Sequence, residues 1–108
     1  MDRMSVASAV AESLFTTEAA VEDTLATAVR LMQRLMEARR ALGLPLATGD
    51  PVLARVSATV TALDVAHREI VRAHQEIEAL ARDLGLGGIA FGPLIKPRGA
   101  AMEPEPAD

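Results

Sequence analysis

The chain has 108 residues, half of them hydrophobic but only 2% aromatic, with a net charge of −4 and no cysteine, tryptophan or tyrosine. That length holds one domain, and a core limited to Leu, Val, Ile, Met and Ala suits closely spaced helices better than a strand sandwich. Disulfides, thiolate metal sites and cysteine nucleophiles are excluded, and a pI near 5.1 without a long basic run argues against binding nucleic acid.

The opening "MDRMSVASAVAESLF" is interrupted by Ser8, Glu12 and Ser13. It therefore has neither the apolar region of a secretory leader nor a membrane span of ~18 apolar residues, and a cytoplasmic location is expected. From here a first helix is expected over about 5–42. Its seam is Leu14, Val21, Leu25, Ala28, Met32, Leu35 and Leu42, with Phe15, Val29 and Met36 beside it. Glu18 and Arg39 occupy seam positions where apolar residues belong. Thr16 or Thr17 would also serve as a cap, with "FTTE" as a break. A helix starting there would be only ~39 Å long, too short to cover its partner, and the four-residue spacing of Val6, Val10 and Leu14 favours the earlier start.

A turn is expected over 43–50. Gly43 accepts the left-handed conformation and Pro45 blocks continuation. Asp50-Pro51 then reads as a helix start, with the Asp side chain capping free N–H groups and Pro at the first helical position. The second helix is expected over 51–84, about 51 Å long. Leu53, Val56, Val60, Leu63, His67, Ile70, His74, Ile77, Ala81 and Leu84 follow alternating steps of three and four, a heptad seam held for more than four repeats. Val71 and Leu80 widen it. Arg34, Arg39 and Arg40 sit where positive charge offsets a helix C-terminus.

The remainder, 85–108, contains Gly85, Gly87, Gly88, Gly92 and Pro93 and is expected to be irregular, acidic and disordered after 99. Ile89, Phe91, Leu94 and Ile95 are too apolar for an idle tail. They either fold back over the end of the helices or contact a partner protein through "FGPLIKP" as an extended core; the expectation carried here is partner contact. "GLGG" follows a helix rather than a strand, the wrong context for a phosphate loop, and no cofactor is expected.

His67 and His74 raise the question of a ligand site. An antiparallel hairpin brings His74 near Val21, one turn from Glu18, so that a carboxylate–imidazole pair answers both interruptions of the seams. The alternative is a metal- or small-ligand-binding bundle using His67, His74, Asp64 and Glu18. Asp64 precedes His67 by three, but Val71 stands where a second carboxylate would precede His74, so a di-iron pattern is incomplete. A pH-sensitive interface is a further reading.

The fold class expected is all-α: an antiparallel helical hairpin that self-associates into a four-helix bundle or a higher helical oligomer, because two helices alone leave apolar positions uncovered. The expected interface is Leu53, Val56, Val60, Leu63, His67, Ile70, His74, Ile77 and Leu84 with Leu25, Met32 and Leu35. The functional expectation is a non-enzymatic oligomerisation or adaptor protein, a homo-oligomer with a dimer favoured, using neither nucleic acid nor membrane. An amphipathic coat for a membrane or granule is the remaining alternative, and its exposed faces are not basic enough to favour it. Arginine-rich, lysine-poor usage suggests a high-GC bacterial source.

Overall fold

The computed structural model describes residues 2–87, and these form an all-helical hairpin of two long helices. Helix α1 runs Arg3–Ala41 and helix α2 runs Asp50–Asp83.

Helix α1 begins two residues earlier than expected. Asp2 is its N-cap, with Oδ1 accepting the Ser5 N–H at 2.7 Å and Oδ2 accepting from the Ser5 hydroxyl at 3.2 Å. The carboxylate thus satisfies a donor that the helix leaves open. These two bonds also hold the Asp2 carboxyl below its ordinary pKa, the backbone bond contributing most. The helix passes through Phe15–Glu18 without a break. Thr17 donates its hydroxyl to the Ser13 carbonyl at 2.8 Å, so the side chain is satisfied without interrupting the backbone ladder.

Both helices stop in the same way. Gly43, at φ 65°, donates to Arg40 O, and Leu44 donates to Arg39 O. Gly85, at φ 77°, donates to Arg82 O, and Leu86 donates back to Ala81 O at 2.7 Å. These paired bonds define the Schellman motif, which needs a left-handed residue and so a glycine. The connection between the helices is tightened by bonds from Thr48 to Pro45 O and from Asp50 to Ala47 O.

The expected role of Asp50 needs correction. Gly49 is the N-cap of α2, no side chain caps that end, and Asp50 is the first helical residue. Gly49 O already accepts from Leu53 N at 2.9 Å, which starts the helix one position before an aspartate cap could. Asp50 still places negative charge in the first turn, the favourable end of the helix dipole, and Pro51 sits in that turn as expected.

The helices face one another along the heptad seams. On α1, Ala7, Ala11, Leu14, Glu18, Val21, Leu25, Ala28, Met32, Leu35 and Arg39 are all buried or half-buried, and on α2 the same holds from Leu53 through Ala81 at every seam position. The exceptions are Leu42 and Leu84. Each is the C-cap of its helix and is more than half exposed, because the partner helix offers no further turn to cover it. Among the described residues the buried apolar core is small: Ala11, Leu14 and Ala81, with Ile70, Ile77 and Leu86 packed against them. It lies toward the open end of the hairpin, away from the connection. Among the described residues, no helix is long and apolar enough to cross a membrane.

Candidate functional site

Three features carry chemistry: the polar interruptions of the seam, one uncharged flank, and a groove at the open end. The polar interruptions come first. His74 is the one polar side chain among the buried residues described, only 3% exposed, and its Nδ1 donates to Glu18 Oε2 across the seam. Glu78, one turn along α2, places Oε2 3.9 Å from His74 Nε2. That is too far for a hydrogen bond but close enough to matter electrostatically. Glu18 and His74 therefore pair across the helices, as their opposed positions in the two seams imply.

Arg39, the other polar residue in the α1 seam, has a different solution. Its Nη1 donates to Leu46 O at 3.0 Å, so the guanidinium reaches off the end of the seam and braces the connection.

The residues considered as a metal set do not converge. Asp64 is joined to Arg68, its Oδ2 3.1 Å from both Nε and Nη2. His67 is half-buried in the seam two turns before His74, about 10 Å away along the axis. Among the described residues, no group of three or more His, Asp or Glu side chains is placed to hold a metal ion. None of their buried side-chain nitrogen or oxygen atoms lacks a hydrogen-bond partner. The buried polar atoms of His74 are thus satisfied by the chain itself.

The residues expected at an oligomer interface lie in the seam between α1 and α2, where they contribute first to the hairpin. Most stay half-buried rather than fully covered. Ile89, Phe91, Leu94 and Ile95, the expected partner-contact residues, lie outside the described residues.

Reading for apolar periodicity passes over one flank of the hairpin. In an antiparallel pair, the residues just before alternate seam positions of the two helices share one side. Here these are Val10, Thr17, Thr24 and Leu31 on α1 and Thr59, Ala66, Ala73 and Leu80 on α2. None is charged. Val10, Leu31 and Leu80 are 46%, 51% and 56% exposed. All three threonines turn their hydroxyls back onto their own helix: Thr17 to Ser13 O, Thr24 to Ala20 O and Thr59 to Arg55 O, at 2.8, 2.7 and 3.0 Å. With that bond made inside the helix, what each threonine offers the flank is its methyl group. The opposite flank carries Glu22, Asp64 and Glu78 among Phe15, Val29 and Val71. The signal in the sequence was a missing charge at every seventh residue, not a run of large apolar side chains.

The third feature is a groove of about 320 Å³ between the start of α1 and the end of α2, lined by Arg3, Val6, Ala7, Val10, Ile77, Leu80, Ala81, Leu84 and Leu86. Arg3 closes one rim, its Nη2 donating to Leu84 O at 2.7 Å. Val10 and Leu80 line it together, which places both on the same flank.

Compared with models of protein families, with curated proteins and with solved structures, the chain matches none.

Proposed function

We propose that this chain is a non-enzymatic oligomerisation and adaptor module. Two hairpins pack flank to flank into a four-helix bundle, and the residues beyond the hairpin contact a partner protein. The observation that carries this reading is the uncharged flank of half-exposed aliphatic and threonine side chains beside a core with three buried apolar residues among those described. Self-association supplies the apolar cover that a single two-helix layer lacks.

The dimensions agree. A strip as long as α2, about 50 Å, and roughly 15–20 Å across covers on the order of 800–1,000 Å² per protomer, the size of a standard stable interface. Completing the burial of Val10, Leu31 and Leu80 in each protomer, at about 1 kcal/mol per side chain, contributes roughly 6 kcal/mol per dimer. This lies within the range of association costs, ~4–15 kcal/mol, so the pairing is reversible rather than permanent.

The test is light scattering on the full chain across a concentration series, with metal content determined on the same sample. The expected result is a dimer or larger oligomer without stoichiometric metal. Ala66→Glu combined with Ala73→Glu should yield a helical monomer, while Gln75→Glu, off the flank, should leave the mass unchanged. A wild-type monomer at all concentrations removes the reading. A stoichiometric metal moves the function to the histidines.

A further inference from the structure

We propose that the groove at the open end of the hairpin is the seat of the chain's own segment Ile89–Ile95. Apart from Arg3 the groove is lined by apolar side chains, among them Val6 and Val10 of α1, Ile77 and Leu80 of α2, and Leu84 and Leu86 just beyond it. Its occupant follows from where the chain goes next.

At Gly85 the backbone takes a left-handed φ of 77°, and Leu86 N bonds back to Ala81 O at 2.7 Å. That turn reverses the chain. Instead of continuing away along the axis of α2, the chain lays Leu86 against the cluster of Ala11, Leu14 and Ala81, half-buried and lining the groove. The first large apolar residue after α2's C-cap is thus already seated. Arg3, bonded to Leu84 O, ties the start of α1 to this same point and keeps the groove's two walls together.

The sequence that follows has the chemistry the groove requires. From Leu84 to Ile95 there is no charged residue, and within that stretch Ile89, Phe91, Leu94 and Ile95 supply apolar side chains; charge returns at Lys96. The reach is sufficient. Phe91 is five residues beyond Leu86, up to about 17 Å of extended chain. The groove runs from Arg3 to Val10, about 10 Å along α1. Attachment so close to the site gives the segment an effective concentration on the order of millimolar, which a separate ligand of similar affinity does not match. A partner that recognises these four residues must therefore draw them out of the groove, so the hairpin limits its own availability.

Nuclear Overhauser contacts in the full-length protein test the proposal, with methyl-labelled Val, Leu and Ile and an observable Phe91 ring. The Phe91 ring should contact the methyl groups of Val10 and Leu80. Phe91→Ser should shift those methyl resonances, and those of Val6, while leaving the Leu53 and Val56 methyls and the helical content unchanged. Amide exchange over 89–95 should be slowed at least tenfold relative to an unstructured peptide and should speed up in Phe91→Ser. Absence of the ring contacts, with unshifted groove methyls in the variant, overturns the proposal. So do contacts that appear only between differently labelled chains in a mixed sample, since the occupant would then be another copy's segment. Ala66→Glu with Ala73→Glu should leave the Phe91 contacts in place, which separates this result from a failure of self-association.

Discussion

Glu18 and His74 form the most sensitive pair in the hairpin, and replacing Glu18 with leucine tests how much depends on it. The His74 side chain is 3% exposed and that of Glu18 28%. The imidazole therefore has little water to turn to once the carboxylate is gone. A hydrogen bond to a charged group contributes about 1.5–3 kcal/mol, and leaving one partner buried without it costs about 1–3 kcal/mol. The partial exposure of Glu18 and the second carboxylate of Glu78, 3.9 Å from Nε2, favour the lower part of that range. The expected loss is roughly 1.5–2 kcal/mol, which for a folded unit of this size lowers Tm by about 6–15 °C. The double replacement Glu18→Leu with His74→Leu should recover most of it, because two apolar side chains can fill a seam that no longer holds an unpaired polar group. Urea unfolding followed by circular dichroism, at one protein concentration so that association does not shift the midpoint, gives all four corners of the cycle. A coupling below about 0.5 kcal/mol refutes the reasoning: the two side chains would then be independent surface features and the seam would tolerate each alone.

Two further outcomes follow from the helix ends. Asp2 has a carboxyl pKa lowered from its ordinary 3.8, first by the backbone bond from Ser5 and then by the Ser5 hydroxyl. Its contribution is therefore fully present above that value and is lost as pH falls through the lower folded value. Amide protection at Ser5 and Val6, taken relative to the intrinsic exchange rate at each pH, should be full above the ordinary carboxyl value and fall as Asp2 is protonated, and Asp2→Ala should show the lower protection throughout; equal protection in both proteins at about pH 5 would discard the cap. Gly43→Ala tests the turn without steric complication, since no atom lies within 4 Å of the added Cβ and φ is +65°. Only the left-handed backbone is penalised, at about 1–2 kcal/mol. A loss under about 0.3 kcal/mol in the same unfolding assay would mean that the first helix does not end in this motif.

The hairpin was legible because its signals agree with one another. The three-and-four spacing from Leu53 to Leu84 is long enough that no other period competes, and Gly43 and Gly85 stand where left-handed residues end the helices. The Glu18–His74 pair was legible for a geometric reason: once the turn sets the register, two polar interruptions in facing seams come within a turn of each other. The missed details are those where several residues could do the same work. Asp2, Ser5, Thr16 and Thr17 are all acceptable caps, and only the bond from Ser5 N to Asp2 Oδ1 selects the first. Asp50 is the better N-cap by side-chain chemistry, yet Gly49 takes the position because the left-handed turn at φ 85° already delivers its carbonyl to Leu53.

The uncharged flank was missed for a reason that bears on what it is for. Threonine and alanine register neither as core nor as surface in a search for apolar periodicity. A flank of leucines would expose a continuous apolar strip, a liability for a protomer before it meets its partner, and a flank of glutamates and lysines would charge both faces of the proposed contact with the same pattern. Thr17, Thr24 and Thr59 avoid both extremes. Each has weaker helix propensity than alanine, but each satisfies its hydroxyl on its own backbone. Each can therefore face water in the separate protomer and be covered in the pair without leaving a hydroxyl unpaired. Ala66 and Ala73 add no bulk between them, which lets a second pair of helices approach closely. The composition of this flank thus fits a surface wetted before assembly and buried after it, and an acidic residue at Ala66 or Ala73 is the smallest change that should prevent the second state while leaving the first intact.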